Sequence, residues 1–396
     1  MTRKLFLLLF LSIQNFEMIE AQWTKEKCPT ANNLNAITFV SKNVSWVVGD
    51  KGTILCKKDK DWIEYSTPTS ENLYGIHMLD DNSGWAVGAK GTIVRFDGKN
   101  WQTFVSPTNK SLHSVYFKDQ GNGIAVGEFG TILNYKDGVW RVLENAIRGN
   151  LYTVFFENND AWIGGGHECL NVLIMRMKYE ENLKPSNIYD SFATINSFFF
   201  LDAFNGWAVG SPSTILHFDG QQWERVRISD NFSSLNSIFF QDEANGISVG
   251  YQGTTLIYRE NNWIKEDASI TEDLNGCYKI GNSYYAVGDK GTIITRKLAG
   301  FDNLATLHEQ EHDGIKVFPN PCNEVLNISL SGTNENINNL VSISNSSGQV
   351  LMKKKLSTGT GGVTYELATI EFKNGLYFLN VLTGQKLTSI KFVIEH

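Results

Sequence analysis

Few residues of this chain are grouped in a way that could support metal chemistry. The exception is His167-Glu168-Cys169, whose imidazole, carboxylate and thiolate groups are all zinc ligands. Side chains of adjacent residues on an extended segment point to alternate sides, so these three cannot converge on one ion without further ligands. We therefore predict no metal site and no cofactor. A tolerated loop insertion and a recognition loop are the two interpretations of the cluster.

The five cysteines give no sign of a zinc or redox motif. They are Cys28, Cys56, Cys169, Cys277 and Cys322, and no two of them form a Cys-x-x-Cys sequence. We interpret them as mostly buried, structurally neutral thiols, although an odd number leaves at least one unpaired or paired with another chain. Sequences typical of serine hydrolases, zinc proteases and phosphate loops are also missing. The residue types thus favour binding over catalysis.

Charge and composition exclude two classes of protein. The 396 residues include 35 Lys and Arg against 42 Asp and Glu, which gives a net charge of −7. Such a chain lacks the basic footprint of a bulk polyanion binder, so we predict no nucleic-acid partner. The 10 Trp, 14 Tyr, 24 Phe and 35 Gly, against only 7 Pro, are typical of a folded protein rich in strands and tight turns, not of a disordered chain.

Residues 1–21 are predicted to be a secretory signal peptide. Arg3 and Lys4 precede the apolar run 5–11, which is too short to span a bilayer, and Ala21 offers a cleavage point before Gln22. A buried strand or an uncleaved anchor is the alternative. No later segment reaches the roughly 18 consecutive apolar residues of a spanning helix, so we expect no transmembrane segment in the mature chain.

A sequence of the type Trp-Ala-Val-Gly-x-x-Gly-Thr-Ile recurs about every 39 residues. Its copies occupy residues 46–54, 85–93, 124–132, 207–215, 247–255 and 285–293, with a degenerate copy at 162–166. Each repeat contains four short β-rich runs separated by turn signals, and none has helical periodicity. Repetition at this period is typical of a propeller or a solenoid. The repeats predict an all-β domain of seven four-stranded blades over residues 22–300.

The position of Trp23 predicts how the ends of the repeat array meet. Trp23 lies 11 residues before Leu34, just as Trp62 lies 11 residues before Leu73, yet no repeat precedes it. The seventh repeat, conversely, has Phe301 where this tryptophan is expected. We infer that the N-terminal strand is the outer strand of the last blade and closes a seven-bladed β-propeller, which protects its edges. A linear solenoid is the alternative.

The repeated sequence resembles a known family. Gly-Trp-Ala-Val-Gly-x-x-Gly-Thr-Ile followed by Asp-Gly-x-x-Trp, at this period, is similar to the β-propeller repeats of photosystem II stability and assembly factors over residues 22–300. In photosynthetic organisms that family acts as a non-enzymatic assembly chaperone. Similar repeats also occur in secreted bacterial proteins that have no photosystem, so the resemblance implies the fold more than the role.

Residues 314–396 are predicted to form a small β-sandwich of about seven strands, after a polar linker at 301–313. This segment resembles the type A C-terminal sorting domain of the type IX secretion system of Bacteroidota. The sorting motif comprises Pro319, Asn320, Pro321, Gly375, Tyr377 and Lys391. The resemblance implies the secretion machinery as a partner and a location outside the cell or on its surface. An immunoglobulin-like binding domain is the alternative.

Two sets of residues are candidates for a binding site on the propeller. The tips of the hairpins between second and third strands, together with the irregular fourth repeat, give a candidate partner-binding face: Asp50, Lys51, Lys90, Glu128, Phe129, His167, Glu168, Tyr251, Gln252, Asp289 and Lys290. The second residues of the inner strands give a candidate channel mouth: Asn35, Tyr74, His113, Tyr152, Asn196, Asn236 and Asn275. Neutral variation of exposed tips and polar lining of a solvated channel are the alternatives.

The predicted function is an exported, non-catalytic propeller that binds or scaffolds a protein or glycan partner. A sialidase-like enzyme or a lectin is the alternative, since exported propellers often meet glycans. Sialidase chemistry needs an arginine cluster, a tyrosine nucleophile and paired acids. The nine arginines here are scattered over different strand positions, and the Asp-Gly-x-x-Trp turns lack the Ser-x-Asp-x-Gly spacing of sialidases. We therefore predict that the protein is not an enzyme.

Overall fold

The computed structural model divides the chain into two compact units, Met1–Ala299 and Gly300–His396. It describes residues 22–41, 44–58, 60–166, 172–178, 185–189, 193–228, 231–259, 261–297, 310–312, 315–319, 322–330, 338–345, 350–357, 363–370, 372, 375–383 and 386–394. The predicted signal peptide lies outside these ranges. Regular structure in the described residues consists of strands and three-residue 3₁₀ turns, which confirms the all-β fold class.

The strands of the first unit are short and follow the sequence repeat. In chain order they are β1 (Trp23–Lys25), β2 (Leu34–Ser41), β3 (Val44–Gly49), β4 (Ile54–Lys58), β5 (Asp61–Glu64), β6 (Leu73–Asp80), β7 (Ser83–Gly88), β8 (Ile93–Phe96), β9 (Trp101–Thr103), β10 (Leu112–Asp119), β11 (Asn122–Gly127), β12 (Ile132–Lys136), β13 (Val139–Val142), β14 (Asn150–Glu157), β15 (Asp160–Gly166), β16 (Val172–Lys178), β17 (Pro185–Tyr189), β18 (Thr194–Asp202), β19 (Asn205–Ser211), β20 (Thr214–Phe218), β21 (Trp223–Arg225), β22 (Leu235–Asp242), β23 (Asn245–Gly250), β24 (Thr255–Arg259), β25 (Asn262–Glu266), β26 (Leu274–Ile280), β27 (Ser283–Gly288) and β28 (Thr292–Lys297).

These strands form antiparallel four-stranded sheets, which we number 1 to 7 along the chain. Sheets 1 to 6 are β2–β5, β6–β9, β10–β13, β14–β17, β18–β21 and β22–β25, and sheet 7 has the order β26-β27-β28-β1. In sheets 1 to 6 the strand order equals the sequence order. Each of these sheets is therefore a simple meander. A Gly-x-x-Gly turn joins the second and third strands of sheets 1, 2, 3 and 6, and an Asp-Gly turn joins the third and fourth strands of sheets 2, 3 and 5, as the sequence predicts.

The first strand of each sheet, here called the inner strand, contacts the inner strand of the next sheet. Asn35 Nδ2 donates to the carbonyl oxygen of Leu73 across sheets 1 and 2, at 2.8 Å. Asn275 Nδ2 donates to the carbonyl oxygen of Leu34 at 3.1 Å, across sheets 7 and 1, although 241 residues separate the pair. The inner strands β2 and β26 are thus neighbours, like the inner strands of consecutive sheets.

The core of this unit lies between adjacent sheets. The Trp85 ring of sheet 2 stacks on Phe117 of sheet 3 at 5.0 Å and meets Trp140 edge-on at 5.7 Å between ring centres. Equivalent groups are Trp162 with Phe200 and Trp223, and Trp207 with Phe240 and Trp263, while Trp46 of sheet 1 meets Phe96 and Trp101 of sheet 2. Such pairs contribute about 0.5–1.5 kcal/mol each beyond the burial of their area. These contacts recur with the sequence repeat, because sheets 1, 2, 4 and 5 each supply one tryptophan to the contact with the next sheet.

Close backbone approaches explain both glycines of the Gly-x-x-Gly motif. A Cβ atom on Gly49 would lie 2.1 Å from the carbonyl oxygen of Asn33 in the same sheet. Gly52 has φ +71°, and a Cβ there would lie 2.0 Å from the carbonyl oxygen of Thr69, which leads into sheet 2. No side chain fits at either distance, so each turn packs tightly against the segment that follows it.

The strand β1 belongs to sheet 7 although it is the first strand of the chain. It pairs antiparallel with β28, and Trp23 Nε1 donates to Glu266 Oε2 of sheet 6 at 3.2 Å. Glu26, directly after β1, accepts hydrogen bonds from Lys57 Nζ at 2.6 Å and from Trp62 Nε1 at 2.7 Å, both in sheet 1. Residues 23–26 therefore link sheets 6, 7 and 1.

The second unit consists of two four-stranded antiparallel sheets. Its strands are β29 (Gln310–His312), β30 (Ile315–Phe318), β31 (Val325–Leu330), β32 (Asn338–Asn345), β33 (Val350–Ser357), β34 (Val363–Ala368), β35 (Gly375–Thr383) and β36 (Lys386–Ile394). The sheet orders are β29-β30-β31-β34 and β33-β32-β35-β36, and both sheets contribute to one apolar core. The sequence predicts about seven strands; β29 adds to that number by pairing with β30 inside the segment expected to be linker.

Candidate functional site

The turns between second and third strands have one backbone geometry in sheets 1, 2, 3, 6 and 7. They are Asp50–Gly52, Ala89–Gly91, Glu128–Gly130, Tyr251–Gly253 and Asp289–Gly291. Their middle residues are left-handed, with φ of 54° at Lys51, 52° at Lys90, 53° at Phe129, 55° at Gln252 and 55° at Lys290. This region costs a non-glycine residue about 1–2 kcal/mol, so the surrounding contacts must hold the turn in place.

Hydrogen bonds to the following sheet hold these turns. The backbone N–H of Lys51 donates to Asn72 Oδ1 at 2.9 Å, and Asn72 directly precedes the inner strand of sheet 2. The same contact joins Phe129 to Asn150, Gln252 to Asp273 and Lys290 to Asn33, at 2.8 to 3.1 Å. The turns of sheets 1, 3, 6 and 7 are thus each fixed to two sheets, and their tip side chains stand on a rigid frame.

The exposed tip side chains differ in chemistry from sheet to sheet, and we call them the turn face: Lys51, Lys90, Phe129, Tyr251, Gln252 and Lys290. Phe129 is 64% exposed and Tyr251 is 47% exposed. The Lys110 ammonium lies 4.7 Å from the centre of the Phe129 ring. A hydrogen bond to Glu71 raises the pKa of Lys90. His167 and Glu168, also predicted for this face, lie outside the described residues.

Three acidic residues predicted for the same face contact the inner strands or the residue directly before one. Asp50 Oδ1 accepts from Asn35 Nδ2 at 3.0 Å, and Asp289 Oδ1 accepts from Asn275 Nδ2 at 3.0 Å. Glu128 Oε2 accepts from the backbone N–H of Ser111 at 3.1 Å. All three acids are half-buried. The carboxylates therefore lie beside the predicted channel mouth.

A β-bulge positions every residue of the channel mouth. In all seven sheets the pairing of the inner strand shifts directly after a leucine or isoleucine at its start, for example between Leu34 and Ala36. The residue that follows, Asn35 in this case, is the bulged one, and a bulge redirects the side chain it carries. Asn35, Asn196, Asn236 and Asn275 use their amide groups to bond the carbonyl oxygen of the next inner strand, at 2.8 to 3.1 Å.

The other three mouth residues form an aromatic arc on sheets 2, 3 and 4. The Tyr74 and His113 rings are 5.5 Å apart, and the His113 and Tyr152 rings are 5.2 Å apart. Burial lowers the pKa of His113, while the nearby Glu128 carboxylate opposes that shift. The Nε2 atom of His113 is buried and has no hydrogen-bond partner among the described residues. The arc thus carries a neutral imidazole with an unused polar atom.

A second ring of side chains, which the sequence analysis missed, lies three residues further along the inner strands. We call it the aromatic belt: His77, Tyr116, Phe155, Phe199, Phe239 and Tyr278. Neighbouring rings are 3.9 to 5.5 Å apart, and all six residues are half-buried. The signal was present in the sequence, because the fourth residue after the leucine or isoleucine at the start of each inner strand is aromatic in six repeats and is Thr38 in the first.

Burial keeps the belt uncharged. It lowers the pKa of His77 to about 4, since a charged imidazole would lose its hydration. It raises the pKa of Tyr116 to about 12, and an electrostatic contribution from Tyr278 on sheet 7 adds to this shift. His77 Nδ1 accepts from the backbone N–H of Phe117 at 3.4 Å. The belt is therefore a neutral aromatic layer below the polar mouth.

A cleft of about 640 Å³ lies between sheets 5 and 6. Exposed Arg227 and Glu243 line it together with half-buried His217 and Tyr258. Asn205 Oδ1 bonds His217 Nε2 at 3.0 Å and fixes the imidazole ring. Burial lowers the pKa of His217, against the opposing effect of nearby carboxylates. The cleft combines a cation, an anion and neutral hydrogen-bonding groups, which is the mixture that a polar ligand needs.

The sorting motif is only partly within the described residues. Tyr377 on β35 is 6% exposed, and its ring lies 5.6 Å from Phe372 and 5.8 Å from Phe392. Gly375 begins β35 with φ +157°, Pro319 follows β30, and Lys391 pairs with Phe378 through the β36 backbone. Asn320 and Pro321 lie outside the described residues. Within the second unit, Tyr377 thus serves as a core residue.

The described part of the chain shows no cluster of metal ligands and no membrane-spanning helix. It contains no group of three His, Cys, Asp or Glu side chains that could hold a metal ion. Four of the cysteines, Cys28, Cys56, Cys277 and Cys322, are free thiols there, and burial raises the pKa of each. No helix in those residues combines the length and hydropathy that a bilayer crossing requires.

Comparison with protein families identifies the second unit. Residues 316–395 match the family described as a secretion system C-terminal sorting domain. The match confirms the predicted sorting domain of the type IX secretion system, and such a domain indicates secretion to the cell surface or beyond it. No curated protein matches the chain.

Comparison with solved structures identifies the fold of the first unit as a β-propeller. YCF48 bound to D1 peptide is 15% identical over 70% of this chain and 97% of that one, with a TM-score of 0.58. PorZ, a surface component of the type IX secretion system of Porphyromonas gingivalis, is 12% identical over 92% and 60%, with a TM-score of 0.56. A catalytically inactive virginiamycin B lyase from Staphylococcus aureus is 15% identical over 70% and 100%, with a TM-score of 0.63. At this identity the likeness extends to the fold alone.

Proposed function

We propose that the protein is an exported, non-catalytic β-propeller that binds or scaffolds a protein partner through its turn face after delivery by the type IX secretion system. The single observation that carries the proposal is the common turn frame with different exposed tips. Equivalent backbone bonds fix four of the five turns, so little conformational freedom is lost when a partner docks. Exposed Phe129 and Tyr251 supply the kind of aromatic anchors that dominate binding energy at protein interfaces.

A matched pair of double variants tests this proposal. Lys51→Asn with Phe129→Asn removes one cation and one aromatic ring from the turn face, and asparagine tolerates the left-handed conformation. Lys99→Asn with Phe204→Asn makes the same change at exposed positions elsewhere on the propeller. We expect the mature protein and the control variant to capture the same envelope protein, and the turn-face variant to lose it. Equal capture by all three would contradict the proposal.

A glycan ligand is a second candidate, which the cleft between sheets 5 and 6 favours. Arg227 and Glu243 are exposed there, beside a fixed His217 and the hydroxyl of Tyr258. Charged and neutral hydrogen-bonding groups in one cleft suit the hydroxyls of a sugar. A glycan array and a panel of hydrolase substrates distinguish the candidates. Binding that is lost in Arg227→Gln or Glu243→Gln supports a lectin, and turnover that is lost in Glu243→Gln would reject the non-catalytic role.

The export route has its own test. A chain that ends at residue 313 lacks the sorting domain, and we expect it to stay in the periplasm while the full chain appears outside the cell. All 10 tryptophans lie in the first unit, so tryptophan fluorescence reports whether the shortened protein remains folded. Appearance of a folded, shortened protein outside the cell would show that another signal directs export.

A further inference from the structure

The cleft between sheets 5 and 6 has opposite charges on its two walls. Arg227 follows β21 on the wall of sheet 5, and Glu243 follows β22 on the wall of sheet 6. Both residues are exposed, and neither forms an ion pair within the described residues. A ligand with a net charge meets a like charge on one of the walls, and such a juxtaposition is costly. The two walls together therefore favour a ligand without net charge.

A chain of hydrogen bonds fixes the tautomer of His217 in this cleft. Trp207 Nε1, which can only donate, bonds Asn205 Oδ1 at 3.1 Å, and the same oxygen lies 3.0 Å from His217 Nε2. An amide oxygen only accepts, so His217 Nε2 carries a hydrogen. Burial lowers the pKa of His217, so its ring is neutral at pH 7 and Nδ1 is an acceptor. The cleft thus contains an uncharged acceptor whose direction is fixed.

The neutral His217 distinguishes this cleft from the equivalent positions of other sheets. His217 and Arg176 each pair with the tryptophan in the second strand of their own sheet, so their positions correspond. In sheet 4 Arg176 Nε donates to Asp160 Oδ2 at 2.8 Å, and Asn205 replaces this aspartate in sheet 5. Arg95 holds the corresponding position in a smaller cleft of about 400 Å³ between sheets 2 and 3. Sheet 5 therefore presents a neutral acceptor where sheets 2 and 4 present a cation.

We infer that the cleft between sheets 5 and 6 binds an uncharged saccharide. This inference rests on the glycan candidate above and names the class of glycan and the groups that select it. A sugar hydroxyl both accepts and donates, so one can accept from Arg227 while others donate to Glu243 and to His217 Nδ1. A carboxylate on the sugar would meet Glu243, and an amine would meet Arg227. Buried Trp207 and Trp263 also line the cleft, whose 640 Å³ suits a small ligand.

The cleft and the turn face lie at opposite ends of the strands. In sheet 6 Glu243 lies before β23 and Tyr251 lies directly after it. This strand has six residues, which extend over about 20 Å at 3.4 Å per residue. A saccharide in the cleft therefore leaves the turn face accessible, and the propeller can hold a glycan and a protein partner at the same time.

A glycan array tests the class of ligand with the full mature chain. The array carries uncharged oligosaccharides, oligosaccharides with carboxylates and oligosaccharides with free amines. We expect the protein to bind uncharged members and to bind charged analogues of the same backbone more weakly, because each charge meets a like charge in the cleft. Equal or stronger binding of the charged analogues, or no binding to any member, would overturn the inference.

Variants that preserve the net charge assign the binding to the cleft. Arg227→Gln with Glu243→Gln removes one charge from each wall, and we expect the uncharged saccharide bound best on the array to bind at least about tenfold more weakly in calorimetry. Arg95→Gln with Glu64→Gln makes the same change at exposed positions of sheets 2 and 1 and should leave the affinity unchanged. Equal affinities for the two double variants would overturn the inference.

Nitrogen NMR of labelled histidine tests the role of His217. Comparison with a His217→Gln variant assigns its signals among those of the seven histidines. We expect hydrogen on Nε2 and none on Nδ1 in the free protein, and a shift of the Nδ1 signal when the saccharide binds. Hydrogen on Nδ1 of the free protein, or an Nδ1 signal that the saccharide leaves unchanged, would overturn the inference.

The turn-face variant separates this inference from the proposed protein partner. Lys51→Asn with Phe129→Asn should bind the saccharide like the unchanged protein, because the cleft lies at the other strand ends. Normal saccharide binding together with equal protein capture by all variants would reject the turn-face proposal and leave the cleft site standing. Protein capture that depends on the turn face, without any saccharide binding, would reject the cleft site alone. Loss of saccharide binding in the turn-face variant would overturn the assignment to the cleft.

Discussion

Replacement of Glu26 by alanine tests the link between the N-terminal segment and sheet 1. The Glu26 carboxylate accepts hydrogen bonds from Lys57 Nζ at 2.6 and 2.8 Å and from Trp62 Nε1 at 2.7 Å. The Lys57 and Glu26 side chains are 13% and 19% exposed, so water compensates only a small part of the loss. Alanine leaves a mostly buried ammonium and an indole N–H without their acceptor.

The expected cost follows from these contacts. Removal of one partner from a buried ion pair costs 3–5 kcal/mol, and the partial exposure of this pair reduces that to about 2–4 kcal/mol. Glu26→Gln keeps one acceptor for Trp62 and should cost about half as much. Glu64→Gln changes an exposed carboxylate on the neighbouring outer strand and should stay within about 0.5 kcal/mol of the wild type.

Urea unfolding followed by tryptophan fluorescence measures this cost in the full mature chain. The 10 tryptophans all lie before residue 299, so their signal reports the propeller and not the sorting domain. The order of stability should be wild type and Glu64→Gln, then Glu26→Gln, then Glu26→Ala. A Glu26→Ala protein within about 0.5 kcal/mol of the wild type would refute the argument that this segment holds sheet 1.

Three further predictions concern stability. Gly52→Ala places a Cβ 2.0 Å from the carbonyl oxygen of Thr69 and should cost clearly more than Gly138→Ala, which shares the positive φ but has nothing within 4 Å; equal losses in urea unfolding would reject the crowding argument. Burial lowers the pKa of His77 to about 4, so the folded state binds fewer protons than the unfolded state between pH 6.5 and 4. The free energy of unfolding should therefore decrease as the pH is lowered from 6.5 to 4. His77→Phe should remove up to about 3 kcal/mol of this loss, and parallel pH profiles for the two proteins would refute it. Burial also lowers the pKa of Lys279 to about 8, so stability should rise by up to ~1.4 kcal/mol per unit as pH increases from 8 towards 10. Lys279→Met should lack this rise, and an equal slope in both proteins would contradict the assignment.

Much of the fold could be predicted from the sequence because each repeat carries its own local signals. The Gly-x-x-Gly motif marks a turn that only glycine can form, as the contacts of Gly49 and Gly52 demonstrate. The spacing from Trp62 to Leu73 marks the passage from an outer strand to the next inner strand. The sorting domain was predicted from its motif and matches its family at residues 316–395. Turn-forming residues and the alternation of apolar residues in strands are local properties, so they can be predicted from the sequence alone.

The candidate site was predicted less completely, because side-chain direction depends on neighbouring sheets. The tip residues Lys51 and Phe129 were predicted for the binding face, and they are exposed. Asp50, predicted for the same face, contacts Asn35 beside the channel mouth. The contacts of the belt residue Tyr116 were not predicted, because its partners come from other repeats, about 40 residues away. A sequence pattern identifies equivalent positions in the repeats, but it does not show which side chains are in contact in the folded protein.

The sequence by itself determined the repeat, the turns, the all-β class and the C-terminal sorting domain, since these depend on residues close together in the chain. Only the tertiary structure decided which groups share a site. The bulge near the start of each inner strand redirects one side chain, and the juxtaposition of seven inner strands then gathers Asn35, Tyr74, His113 and their equivalents at one mouth. Glu26 meets Lys57 and Trp62 for the same reason, because packing of sheets 7 and 1 brings distant segments together.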